Sequence, residues 1–152
     1  MMEGFIRQLL DGKEPSRKLL SCCTFYIVPM LNPDGVVGGN YRTSFSGRDL
    51  NRQFNDLGNF MYPEIQGVVS LVRRLKKQKR RVEFFFDFHS HSSKKDLFCY
   101  GPEHSNSNSY FLRSRVFVKM LKSKDTMFSD SKSIFTVNEL KRHTGRAFML
   151  QK

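Results

Sequence analysis

His89 and His91 close an apolar run at Asp87-Phe88-His89-Ser90-His91. Residues two apart in an extended segment share a face, so both imidazoles and Asp87 point the same way. Imidazole in such a place serves as a metal ligand or as a proton carrier near neutral pH. Asp87 could orient one ring by accepting its N–H. An isolated His-x-His is, however, more often satisfied by hydrogen bonds than by metal. A catalytic zinc takes three protein ligands and keeps a fourth position open. The other histidines, His104 and His143, fall in predicted loops, and no His-x-x-Glu occurs, so the chain by itself does not complete a zinc site.

Arg42, Arg48 and Arg52 are spread through a glycine-rich stretch, with Asn51 beside the last of them. A guanidinium is a planar fork of donors that fits a carboxylate or the charge growing on an oxyanion, and the Asn51 amide would add a donor to the same anion. The competing reading pairs these arginines with Asp34 or Asp49 merely to hold the loop, and it applies to Arg48 more than to Arg42 or Arg52.

These groups must be positioned by the elements around them. Thr24-Phe25-Tyr26-Ile27-Val28-Pro29-Met30 is apolar on both faces, as a strand covered by helices would be, and Val82-Glu83-Phe84-Phe85-Phe86-Asp87-Phe88 reads as a second strand. Between them, residues 31–62 show no period but carry the turn signal Pro33-Asp34-Gly35. So long a connection in a compact domain is functional or disordered, and its Tyr, Phe and Leu residues argue for order. Pro63 opens a helix through Ile65, Val68, Val69, Val72 and Leu75. Met1 to about Leu20 carries a helical face broken near Gly12 and Pro15, and it opens with no capping residue. Further expectations are a short strand at Leu97-Phe98-Cys99-Tyr100, an amphipathic helix from Ser109 to Leu121, and edge strands at Ser133–Val137 and Arg146–Leu150. The resulting fold class is α/β, with a mixed, mostly parallel sheet flanked by helices. Ligands of such sheets bind at the ends of the strands.

The 152 residues suffice for one domain, and no linker divides them. No apolar run reaches the roughly 20 residues of a membrane span, and the first residues lack a signal-peptide pattern. Three cysteines, two of them adjacent, argue against a disulfide framework and for a reducing, cytoplasmic setting, with Cys23 and Cys99 as small buried side chains. Twenty-six Lys and Arg against fourteen Asp and Glu give a formal charge of +12, which favours polyanionic or acidic polypeptide partners. Much of the excess lies in the run from Arg73 to Arg81, read most simply as the solvated end of a helix. Aromatic residues are not interleaved with that run, which argues against nucleic acid.

Asn32-Pro33-Asp34-Gly35-Val36, Gly39-Asn40-Tyr41-Arg42, Gly47-Arg48-Asp49-Leu50-Asn51-Arg52 and Asp87-Phe88-His89-Ser90-His91-Ser92, in that order and spacing, resemble the zinc metallocarboxypeptidases. Together with Thr144-Gly145-Arg146 they are similar, more narrowly, to the cytosolic carboxypeptidases. The resemblance implies a carboxypeptidase-like domain that uses Zn2+ to remove C-terminal or branch-point residues, particularly glutamates, from acidic protein tails such as those of tubulin. It implies His89 as a zinc ligand, Arg42 as the group that stabilises the tetrahedral oxyanion, and Asn51 with Arg52 as the grip on the substrate carboxylate. His91 would neighbour the metal without binding it. By position, the family's His-x-x-Glu would fall before Met1 and its general-base Glu beyond Lys152. Residues 1–152 would then be a partial catalytic domain: an internal fragment, a faulty gene model or a degenerate paralogue. The alternative from another class is a non-catalytic module that binds glutamate-rich tails through the arginine-lined pocket.

Overall fold

The computed structural model describes residues 1–56, 58, 60–104 and 109–150. Its helices are α1 (Met2–Leu9), α2 (Glu14–Cys22), α3 (Pro33–Val37), α4 (Pro63–Lys77), α5 (Ser109–Lys124) and α6 (Gly145–Leu150), with 3-10 turns at Leu50–Arg52 and Glu139–Lys141. None of these helices is long and apolar enough to cross a membrane.

Gly12, at φ +71, separates α1 from α2. The buried Ser16 ties the two together by donating to the Gln8 carbonyl at 2.7 Å. Pro63 stands in the first turn of α4, where its missing N–H would have had no partner in any case. Ile65, Val69, Val72 and Leu75 recur every three or four residues along α4 and are buried. The main core joins the first half of that helix to the preceding loop and to α6, through Leu50, Phe54, Tyr62, Ile65, Val69 and Phe148. Leu50 and Phe54 flank Asn51 and Arg52, so burial of two side chains fixes the short turn that presents the polar pair.

The sheet expected from the sequence does not form among the described residues, whose β-pairing is limited to isolated parallel bridges between Leu97 and Phe128 and between Tyr100 and Ile134. Residues 24–28 and 81–90 lie outside helix, turn and strand alike. Their period-2 side-chain pattern survives: Phe84 and Phe86 stack at 5.4 Å, Phe86 lies 6.4 Å from Phe88, and Phe117 of α5 lies 5.8 Å from both Phe84 and Phe86. What is lacking is a neighbouring strand at the roughly 4.8 Å that a ladder requires. Phe5 of α1 instead touches both segments, 6.1 Å from Phe25 and 5.5 Å from Phe88, so a helix side chain joins them. The Arg80 guanidinium adds hydrogen bonds to the Tyr26 hydroxyl at 2.9 Å and to Thr24 Oγ1 at 3.0 Å.

Residues 146–150, expected as an edge strand, are helical in α6. Thr144 Oγ1 accepts a 3.4 Å bond from the Ala147 N–H, as a residue that starts a helix does, and Ala, Met and Leu follow, all good helix formers. Cys23, the extended residue after α2, is exposed beside Cys22, not buried; Cys99 is half-buried.

Candidate active site

The loop carrying the arginines is built on asparagine and aspartate side chains that satisfy backbone groups. Asn32 Oδ1 accepts from the Gly35 N–H at 3.0 Å and so caps α3, while its Nδ2 reaches across to the carbonyls of Arg42 at 3.3 Å and Thr43 at 3.2 Å. A β-carbon on Gly35 would collide with the Asn32 amide and the Thr43 carbonyl, so this Asn-Pro-Asp-Gly turn closes only around glycine. Asn40 Nδ2 donates to the Thr43 carbonyl at 3.1 Å, and the Ser44 N–H donates to the Arg48 carbonyl at 3.0 Å. The chain around Arg42 is thereby held from both sides.

Asp49 is the hub of the loop. Its Oδ1 accepts the Asn51 N–H at 2.9 Å, while Oδ2 lies 3.6 Å from Arg42 Nε and 3.7 Å from Arg52 Nη1. The ion-pair reading thus falls on Arg42 and Arg52 rather than on Arg48. At those separations the carboxylate attracts both guanidinium groups without hydrogen-bonding either. Arg42 keeps 49% of its side chain exposed and Arg52 34%, and Arg52 Nη1 donates to the Asn51 carbonyl at 2.9 Å. Both forks retain donors for an anion.

Asn51 joins three parts of the chain. Its Nδ2 donates to Asp87 Oδ2 at 3.1 Å, and its Oδ1 accepts the Gly145 N–H at 3.0 Å. No pattern in the sequence marks this clamp. Asp87, expected to orient an imidazole, holds Asn51 instead, and Gly145 is its third member. The signal available was Gly145 itself, where a β-carbon would meet the rings of Phe54 and Phe85. One proton of the Asn51 amide group is left for another acceptor.

The Asn51–Asp87 bond places the arginine loop one hydrogen bond from the segment bearing His89. His89 is exposed, and its Nδ1 lies against the Ser90 carbonyl, which can only accept. In a neutral ring, a hydrogen bond to that carbonyl requires the tautomer with the proton on Nδ1, in which Nε2 carries the lone pair. His91 is engaged differently: its Nδ1 accepts from the N–H groups of Ser93 at 3.2 Å and Lys94 at 3.0 Å, and its ring packs edge-on to Phe98. Arg146 is half-buried, donates to the carbonyls of Gly101 and Thr136, and has its pKa lowered by that burial.

No group of three His, Cys, Asp or Glu side chains among the described residues could hold a metal ion. His89 brings a single imidazole. These residues therefore do not make a zinc site by themselves.

The chain matches the family described as zinc carboxypeptidase over residues 1–138, and it belongs to that family. It is 38% identical over 151 residues to cytosolic carboxypeptidase 3 of Bos taurus, covering 98% of this chain and 15% of that protein. It is 39% identical over 150 residues to cytosolic carboxypeptidase 2 of Mus musculus, covering 98% of this chain and 17% of the relative, and 39% identical to its namesake in Danio rerio, covering 98% and 21%. The chain thus spans about a fifth or less of the length of these relatives.

Proposed function

We propose that this chain serves a carboxypeptidase that removes C-terminal or branch-point glutamates from acidic protein tails, those of tubulin among them, in the cytoplasm. Family membership supports the reaction class, and the relatives' printed name supports the compartment. The observation that carries the assignment is the Asn51–Asp87 hydrogen bond, which ties the loop of Arg42 and Arg52 to the segment of His89. In this reading Arg52 and the free amide proton of Asn51 grip the terminal carboxylate, and Arg42 faces the carbonyl oxygen on which negative charge grows. His89 is the imidazole assigned to Zn2+. The chain's other described residues do not complete that ion's ligand set, so no step is assigned to it here.

Release of glutamate from a peptide ending in several glutamates, compared with one ending in alanines, tests the assignment. Arg42→Gln is expected to lower kcat by about 100- to 1,000-fold, the usual cost of one oxyanion donor. Arg52→Gln is expected to act mainly on KM. Equal handling of the two peptides, or an Arg52→Gln variant with unchanged KM, refutes it. A second reading, a module that captures glutamate-rich tails without cutting them, is favoured by the incomplete donor set. Salt-sensitive binding of the glutamate peptide with no release selects that reading.

A further inference from the structure

We propose that the C-terminal end of α4 and the turn after it form a docking surface for a glutamate- or aspartate-rich polypeptide segment, apart from the site that takes the terminal residue. The proposal rests on the acidic-tail reading above and extends it to where the body of such a tail is held. Arg73, Arg74 and Lys77 fall within an arc of about 100° on the exposed side of α4, with Arg73 at the edge of that arc about 40° round from Val69, and Lys76 is exposed just past the last buried turn. Arg73, Arg74, Lys76, Lys77 and Lys79 have no ion pair among the described residues. From Arg73 to Lys77 the axis advances only about 6 Å, less than the screening length at physiological salt, so these charges act on a bound anion together.

Helix stabilisation does not account for the cluster. The helix dipole rewards cations within the last turn, and Arg73 lies before it and Lys79 after it. Arg73 stands three and four residues before Lys76 and Lys77, spacings at which like charges repel along a helix. Lys79 is the sharper observation. The Arg80 N–H donates to the Leu75 carbonyl at 2.9 Å and the Lys79 N–H to the Lys76 carbonyl at 2.9 Å, which leaves Lys79 in the left-handed position at φ +57. Glycine is the favoured residue there, and a lysine is held at a conformational cost. Its positive charge is what the position gains. Arg80, bonded to Thr24 and Tyr26, ties the turn to the segment before α3.

A flexible acidic chain can set its carboxylates against irregularly spaced cations, whereas single-stranded nucleic acid also needs rings to stack on. The run from Arg73 to Arg81 holds no aromatic residue, and the rings that follow, Phe84 and Phe86, stack on each other and tilt onto Phe117.

Anisotropy of a labelled peptide of about ten consecutive glutamates, measured at low and physiological salt, tests the surface. Arg73→Gln, Arg74→Gln, Lys76→Gln and Lys77→Gln in one variant keep good helix formers in place, with the fold checked by circular dichroism. A control carries Lys18→Gln, Arg113→Gln, Lys122→Gln and Lys124→Gln, an equal loss of charge elsewhere. The first variant is expected to bind about tenfold more weakly than the parent and the control within about threefold, a tenfold loss being about 1.4 kcal/mol. Equal losses in both variants, an unweakened first variant, or displacement of the peptide by an oligothymidylate of equal charge at no higher concentration overturns the proposal. Glutamate release from a short blocked peptide reads the proposed function separately. Patch-dependent binding without release sinks that function alone, and release without patch-dependent binding sinks the docking surface alone.

Discussion

Asn51→Ala removes the side chain that fastens the arginine loop to two other parts of the chain. The bond to Asp87 is exposed, and its loss is expected to cost about 0.5 kcal/mol. The bond from Gly145 costs more, because a backbone N–H in a buried residue then lacks its acceptor, a penalty of about 1–3 kcal/mol. The sum is about 1.5–3.5 kcal/mol, a large fraction of the roughly 5–15 kcal/mol that holds a domain folded. The urea midpoint should therefore fall, and amide exchange at Gly145 should quicken by about ten- to three-hundredfold, as expected when a local opening becomes easier by that much. Asn51→Asp separates the two bonds. It keeps an oxygen for the Gly145 N–H but sets a carboxylate about 3.1 Å from that of Asp87, a repulsion of about 1 kcal/mol in water. Gly145 then stays protected while overall stability drops, and a further Asp87→Asn change restores much of the loss. If Gly145 exchanges at the parent's rate in Asn51→Ala, the clamp does not hold the loop and the reasoning fails.

Lys79→Gly is expected to raise stability by about 0.5–1 kcal/mol in thermal or urea unfolding, since glycine occupies φ +57 without a clash with its own side chain; a fall would show that the lysine makes a stabilising contact outweighing its backbone cost. Alkylation followed by mass spectrometry should modify the exposed Cys22 and Cys23 before Cys99. Burial pushes the Cys99 thiol pKa up, so its thiolate, and with it its labelling, should appear at higher pH than for an unhindered thiol. Labelling of Cys99 at the rate of Cys22 and Cys23 at neutral pH would contradict its half-buried position.

Local sequence was enough to place α4, because Pro63, the spacing of Ile65, Val69, Val72 and Leu75, and a basic end all act within a few turns of one helix. It was likewise enough to mark the turn at Pro33-Asp34-Gly35, where Asn32 caps α3, and guanidinium, amide and imidazole groups name Arg42, Asn51, Arg52 and His89 as candidates for chemistry wherever they stand. Thr144 carries the cap of α6 in the sequence, three residues before Ala147, yet the short apolar run after it reads as a strand there. Partners far away in sequence were not. Asp87 and Gly145 meet Asn51 across 36 and 94 residues, and no periodic pattern encodes such a meeting. The same limit explains the sheet: the apolar alternation at Phe84, Phe86 and Phe88 specifies extended chain, whereas a ladder depends on which backbone lies alongside, and here Phe5 and Phe117 meet those rings or their neighbours. Side-chain type and short-range spacing are properties of a segment, but a hydrogen-bonded clamp or a paired strand is a property of two segments, and only the folded chain decides which two meet.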